Sequence, residues 1–280
     1  MYTYKIYNNI SAEGIDCLEV NGFTKEEKNP DALLIRSKLV NEGDFNKSLK
    51  CICRAGAGVN HIPIDMATER GVVVFNTPGG NANAVKELVI CGLLLSSRGI
   101  IQGHQFAQTL SKQDADELTH LVETNKKNFK GNELKGKTIG IIGLGAIGSL
   151  LAQSVVSMDM KVIGYDPNIS IDAAWQLPKE VVKADNLKDL LSNSDYISIH
   201  VPLVEETKNL ICNDVIKFIK PGAKLINLSR GSIVNNKDVL NALENKKIST
   251  FVTDFPSPEM VKRSIKFSDV ILIHHLGAST

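Results

Sequence analysis

Residues 136–153, GKTIGIIGLGAIGSLLAQ, constrain the fold more than any other stretch of this chain. An apolar run leads into a Gly-x-Gly-x-x-Gly turn, and a second apolar run of helical character leaves it. That context gives weight to a glycine pattern that is weak alone. Gly143 permits the tight turn, Gly145 lets the backbone approach a diphosphate, and Gly148 lets the helix pack on the strand. Free N–H groups at the start of the helix bind phosphate oxygens. The next strand, KVIGYD, ends in Asp166. It lies about twenty residues past the glycines, where a carboxylate grips the ribose hydroxyls of a dinucleotide. Its charge repels a 2′-phosphate, and Pro167 and Asn168 supply no cation. NAD is therefore predicted over NADP.

Strands and helices alternate on both sides of this motif. KTIGIIG, KVIGYD, DYISIHV, GAKLINLS, TFVTDF and DVILIHH read as apolar strands with helices between them. This pattern predicts an α/β fold of the Rossmann type, a doubly wound parallel sheet. Earlier in the chain, YTYKIY, DALLIRS, LKCICRAG and VVVFN read as strands, with helices at SAEGIDCLEV (N-cap Ser11, closing Gly22) and IDMATER (closing Gly71). They predict a second, smaller α/β domain over residues 1–95, with the dinucleotide-binding domain over 96–280. Between them, AVKELVICGLLLSSRG reads as a packed helix. The polar helical stretch after Arg98 reads as an arm suited to a partner subunit.

Composition narrows the partners. The 280 residues carry a formal net charge of +1, which gives no reason to expect nucleic acid or an anionic membrane surface. No apolar run approaches the roughly 18–20 residues of a membrane span, and the N-terminus lacks the pattern of a secretory signal. The five cysteines, Cys17, Cys51, Cys53, Cys91 and Cys212, are odd in number and sit mostly in apolar runs. Cys51 and Cys53 form a Cys-x-Cys, but CICRAG reads as a buried strand end and no second cysteine pair completes a ligand set. All five read as structural thiols, no metal site is predicted, and a reducing cytoplasm fits best.

In doubly wound sheets ligands bind beyond the carboxyl ends of the strands. Three such ends carry reactive groups. LINLSRGSIV places Arg230 there, suited to hold a carboxylate bidentately and polarise a neighbouring carbonyl. FVTDFPSPE places Asp254, then Glu259 on the following loop. ILIHHLGAST places His274 and His275. Oxidising a hydroxyl to a carbonyl needs a base, and histidine titrates in the right range. A carboxylate would orient and stabilise its cationic form. Arg, Glu and His behind a dinucleotide fold therefore read as a 2-hydroxyacid dehydrogenase site.

The stretches RAGAGVNHI, GVVVFNTPGGN, GKTIGIIGLGAIG, KVIGYDP, HVPL, LINLSRGSIV, TDF and HLGAST, in order over residues 54–280, resemble the D-isomer-specific 2-hydroxyacid dehydrogenases. The similarity is greatest to the branch acting on D-3-phosphoglycerate. The resemblance implies a flavodoxin-like substrate domain and a catalytic set of Arg230, Glu259 and His275. It implies cofactor contacts at Thr77, Ala146, Ile147, Asp166, Val201, Leu228, Ser229, Arg230, Asp254 and the segment His275, Gly277 and Ala278. The backbone of residues 55–59, with Ala57 and Gly58, would face the substrate carboxylate, and Arg54 its phosphate. A homodimer through the NAD domain is also implied. Some positions depart from the family pattern: Ser229 stands for the usual Ala, PSPEM for an acidic pair before proline, and His274 for proline. Relatives continue past GAST with a helix returning to the substrate domain, so the chain is expected to be cut short.

The expected reaction is NAD-dependent oxidation of D-3-phosphoglycerate to 3-phosphohydroxypyruvate, the first step of serine biosynthesis. Arg36, Lys38 and Arg54 are the candidate phosphate ligands. Two alternatives stand beside it. One is a dehydrogenase for another 2-hydroxy acid, such as glycerate, glyoxylate/hydroxypyruvate or lactate. The other is a non-enzymatic, NAD-dependent binding module like the corepressors built on the same scaffold.

Overall fold

The computed structural model describes residues 2–277. The chain forms two compact units, Met1–Asn81 and Ala82–Thr280. The division falls before the helix Ala82–Ser97, whereas the sequence reading placed it near the end of that helix, at residue 95. The helix belongs to the second unit because its buried Val85, Val89 and Leu93 pack into the larger sheet's core.

The first unit is a five-stranded parallel sheet. Its strands are β1 (Thr3–Ile6), β2 (Thr24–Lys25), β3 (Ala32–Ile35), β4 (Cys51–Arg54) and β5 (Val73–Asn76), in the order β2-β1-β3-β4-β5. Leu33, Ile35 and Ile52 on one face make its core with Val40, Phe45, Leu49, Ile62 and Ala67. The helix Ala12–Val20 is capped as predicted, with Ser11 Oγ accepting from the Gly14 N–H. Gly71 closes the helix Ile64–Glu69 at φ 67°, a conformation glycine adopts freely.

The second unit is a seven-stranded parallel sheet: β6 (Thr138–Ile142), β7 (Lys161–Tyr165), β8 (Val181–Lys183), β9 (Tyr196–Ile199), β10 (Ala223–Asn227), β11 (Ile248–Thr253) and β12 (Val270–Leu272). The order is β12-β11-β10-β9-β6-β7-β8, the doubly wound arrangement predicted. β6 and β9 are its central neighbours and are buried on both faces, which is why they read as continuous apolar runs. One face packs on the helices Ala82–Ser97 and Ala146–Val156 through Leu93, Leu151 and Val155. The other packs on Leu187–Asn193, Asn236–Glu244 and Pro258–Lys266 through Leu190, Leu243 and Met260. Each fully buried aliphatic side chain contributes about 1.5–3 kcal/mol.

The polar arm divides into two helices, Ile100–Thr109 and Ala115–Asn125. Asp114 starts the second by accepting from the N–H groups of Asp116 and Glu117. None of the five cysteines lies in a core. Cys17 and Cys91 are exposed, and Cys51, Cys53 and Cys212 are half-buried. Position within an apolar run therefore does not carry these thiols into the core. Helical and strand periodicity places Cys17 and Cys91 on outward faces, which an apolar run does not reveal. Among the described residues no helix is long and apolar enough to cross a membrane.

Candidate active site

The chain reverses direction across the larger sheet between β6 and β9, and a doubly wound sheet opens its ligand crevice at that point. Gly143 ends β6 there at φ 92°. A Cβ on it would lie 2.6 Å from the His200 carbonyl oxygen and 2.9 Å from Val201 Cγ1, so two strand ends close tightly over it. A Cβ on Gly148 would run into the Gly143 carbonyl, so helix and turn touch backbone to backbone. Gly145, the N-cap of Ala146–Val156, differs: a Cβ there meets nothing within 4 Å. No side chain caps the helix, so the N–H groups of its first turn, at Ala146 and Ile147, have no side-chain partner among the described residues. The turn at Gly143 and the backbone contact at Gly148 allow no larger residue, and the open space at Gly145 has the room a diphosphate would need.

Asp166 lies at the tip of β7. Its Oδ2 accepts from the Leu144 N–H at 2.8 Å and its Oδ1 from the Asn168 N–H at 3.0 Å. These bonds fix the carboxylate beside the glycine turn and leave lone pairs for ribose hydroxyls.

Arg230 follows β10 on a loop braced by Asn227, a buried residue to which the sequence assigned no role. Asn227 Nδ2 donates to the Arg230 carbonyl at 2.9 Å, and its Oδ1 accepts from the Ser229 N–H at 3.1 Å. Ser229 Oγ donates to the Ile199 carbonyl at 2.5 Å, tying the loop to β9. A buried amide at a strand end is the available sequence signal, since its donors and acceptors must be satisfied locally. Leu228 is buried beneath the loop and Val201 half-buried beside it.

Asp254 ends β11, only 3% exposed, and its Oδ1 has no hydrogen-bond partner among the described residues. Burial pushes its carboxyl up to about 6, while the charges of His275 and Arg230 pull it back. The three groups are thus within electrostatic reach at the ends of β10, β11 and β12. The His275 ring meets Phe255 edge to face, with centroids 5.0 Å apart. His274 and His275 are both exposed, and Gly277 is buried, where a Cβ would sit tightly at 3.1 Å from Val85 Cγ2. Ala278 lies outside the described residues.

Glu259 departs from the predicted loop position. It occupies the first turn of the helix Pro258–Lys266, exposed, with Oε2 accepting from Ser257 Oγ at 2.9 Å. That bond and the helix backbone hold its carboxyl below the usual range. Among the described residues no hydrogen bond or ion pair joins it to His275. The structure therefore brings Arg230, Asp254 and His275 within electrostatic reach of one another, while Glu259 bonds to Ser257 instead.

His200, at the end of β9, is a further residue the sequence left without a role. Its Nε2 lies 2.8 Å from Ser198 Oγ, and its Nδ1 is sealed without a partner among the described residues. Burial holds the ring down to about 4, so it is neutral at pH 7.

In the first unit, Gly56 and Thr77 exchange bonds. The Gly56 N–H donates to Thr77 Oγ1 at 2.6 Å and its carbonyl accepts from the Thr77 N–H at 3.0 Å. Asn76 Nδ2 donates to the Ala57 carbonyl at 2.8 Å. The Arg54 guanidinium fills the space a Cβ on Gly56 would need. Ala57 is exposed and Gly58 half-buried on this braced loop. Lys38 is paired with Asp44 at 3.0 Å.

A family model, D-isomer specific 2-hydroxyacid dehydrogenase, NAD binding domain, matches residues 93–277. The chain belongs to the D-isomer-specific 2-hydroxyacid dehydrogenase family. It is 35% identical over 269 residues to a D-3-phosphoglycerate dehydrogenase of Methanocaldococcus jannaschii, covering 92% of this chain and 49% of the relative. To that of Synechocystis it is 36% identical over 258 residues, covering 89% and 43%. The chain thus spans about half the length of the curated relatives it matches. The NAD-bound 3-phosphoglycerate dehydrogenase of Entamoeba histolytica superposes with a TM-score of 0.75 at 24% identity, covering 100% of this chain and 89% of that one, a likeness of fold. The cofactor of this family member is NAD, and the cradle described above fits it.

The buried Asp254 makes the stability of this fold pH-dependent. Its folded pKa lies above the unfolded value, so the folded state holds the extra proton between about pH 4 and pH 6. Stability present below that window is lost as pH rises through 6, by on the order of 1–3 kcal/mol with solvent screening included. Asp254→Asn should flatten this slope and raise the melting temperature at pH 8 relative to wild type. Melts at pH 4, 6 and 8 check this, and an unchanged slope in the variant would refute it.

Proposed function

We propose that this dehydrogenase oxidises D-3-phosphoglycerate to 3-phosphohydroxypyruvate, the entry step of serine biosynthesis. One observation carries the catalytic reading: Arg230, Asp254 and His275 stand at the ends of the adjacent strands β10, β11 and β12. The names of relatives near 35% identity support the substrate.

NAD, when bound, would supply the acceptor for the hydride leaving C2. Gly143, Gly145 and Gly148, with the N–H groups of Ala146 and Ile147, hold its diphosphate, and Asp166 its ribose. Asp254, with its unpaired Oδ1, would be free to accept a hydrogen bond from the cofactor. Arg230 binds the substrate carboxylate and the C2 oxygen as a charge-assisted fork, so it stabilises the developing carbonyl. His275 takes the hydroxyl proton from that oxygen. Glu259 supports the imidazolium only if its Ser257 bond gives way. Arg54, with the loop at Ala57 and Gly58, takes the substrate's anionic groups. Val201, Leu228, Ser229, Thr77, Gly277 and Ala278 complete the cofactor contacts. We assign the protein to the cytoplasm, as a homodimer joined through the arm helices, whose Ile100, Leu118 and Val122 are exposed.

Initial rates with NAD and 3-phosphoglycerate, against glycerate and lactate, test the substrate. The phosphorylated acid should be preferred, with inorganic phosphate a competitive inhibitor. Equal kcat/KM for glycerate would shift the assignment to a non-phosphorylated 2-hydroxy acid. The separation of Glu259 from His275 favours one second reading, an NAD-dependent binding module, for which no acid is turned over while NAD still binds.

A further inference from the structure

Cys51 and Cys53 lie two residues apart on β4, so both side chains leave the same face of the sheet. Their Sγ atoms are 4.0 Å apart. Both are half-buried, and this face is open to solvent on one side, where neighbouring Val73 and Phe75 are 53% and 55% exposed.

Strand geometry decides how two such sulfurs can be joined. Residues two apart on an extended strand have Cα atoms about 6.6 Å apart with nearly parallel Cβ vectors. A disulfide needs Cβ atoms within about 4.5 Å and an S–S bond of about 2.05 Å. Closing one here would pull β4 out of register with both β3 and β5. A cation between the sulfurs leaves the strand in register: two metal–sulfur bonds of about 2.3 Å set in line span about 4.6 Å, a small opening of the 4.0 Å gap that side-chain rotation alone supplies.

We propose that Cys51 and Cys53 form a two-thiolate binding site for a soft monovalent cation, Cu(I). Thiolates select such ions, and Cu(I) accepts two or three sulfur ligands in open geometry. Zinc requires four ligands. Among the described residues no group of three or more His, Cys, Asp and Glu side chains is placed to hold a metal. Binding forms two Cu–S bonds and releases both thiol protons without a change in oxidation state. Lys50, paired with Asp31, stands beside the anionic complex.

Anaerobic titration of the intact chain with Cu(I), against a chromophoric copper(I) chelator, tests the site. One ion per chain should bind. Cys51→Ser and Cys53→Ser should each weaken binding beyond the 10–100-fold that outer-shell partners typically cost. Cys17→Ser and Cys91→Ser should leave it unchanged, and Zn(II) should not compete. Copper-edge X-ray absorption of the wild-type complex should show two sulfur ligands, a readout independent of how the variants fold. Retained affinity in either Cys51→Ser or Cys53→Ser, equal competition by Zn(II), or a nitrogen and oxygen shell around copper would overturn the proposal.

Discussion

His275→Ala lowers turnover by about 10²–10⁴-fold, the range for loss of a general base, while NAD affinity changes little. The expectation rests on position. His275 lies within electrostatic reach of Asp254, whose charge responds to it, and its ring is set edge-on against Phe255. His274 is also exposed but has no described partner for its ring. His274→Ala should therefore keep a near-normal rate. Steady-state kinetics on both variants decide between the two histidines. An active His275→Ala with an inactive His274→Ala would reverse the assignment and move the base to the position where relatives carry proline.

The second large effect separates two glycines of one motif. Gly148→Ala forces a methyl group against the Gly143 carbonyl, backbone that cannot swing aside. Overpacking of this kind costs about 1–3 kcal/mol, or roughly 3–10 °C in melting temperature for a unit of this size. It also lifts the helix start from the phosphate cradle, so NAD affinity falls. Gly145→Ala meets nothing within 4 Å. Its melting temperature should match wild type while NAD binding weakens, because the methyl group enters the space a diphosphate would use. Thermal melts with and without NAD measure both effects. A Gly145→Ala variant that melts early, or that binds NAD as tightly as wild type, would contradict the cradle.

Sequence alone revealed most of the larger sheet, for a physical reason. Strands such as β6 and β9 are buried on both faces and must be apolar throughout, and the glycine turn marks where the chain bends. The edges were less visible. β8 is only three residues long, with Val182 exposed, and both residues of β2 are polar and exposed, so neither has the length or pattern of a buried strand. In the candidate site, Arg230 and His275 could be placed because strand ends are predictable. Glu259 could not: Ser257 and Pro258 start a helix immediately after the strand end, with Ser257 as N-cap and proline in the first turn. The helix is held in turn by Arg263, which bonds both oxygens of Asp269 at 3.0 and 2.7 Å just before β12. Asn227 and His200 escaped notice because their roles lie in hydrogen bonds to backbone and to Ser198, which no spacing rule encodes. Half-exposed thiols on β4 escaped for a related reason, since one face of that strand is core and the other is open.

Hydride transfer from a 2-hydroxy acid to NAD is the central claim, and isotopic labelling tests it most directly. With 3-phosphoglycerate deuterated at C2, the account predicts one deuterium in each NADH formed, at the nicotinamide ring, with the label absent from solvent. NAD bound at stoichiometry with no deuterium in the nicotinamide, for this or any other C2-labelled D-2-hydroxy acid, would contradict it and leave the chain a dinucleotide-binding module.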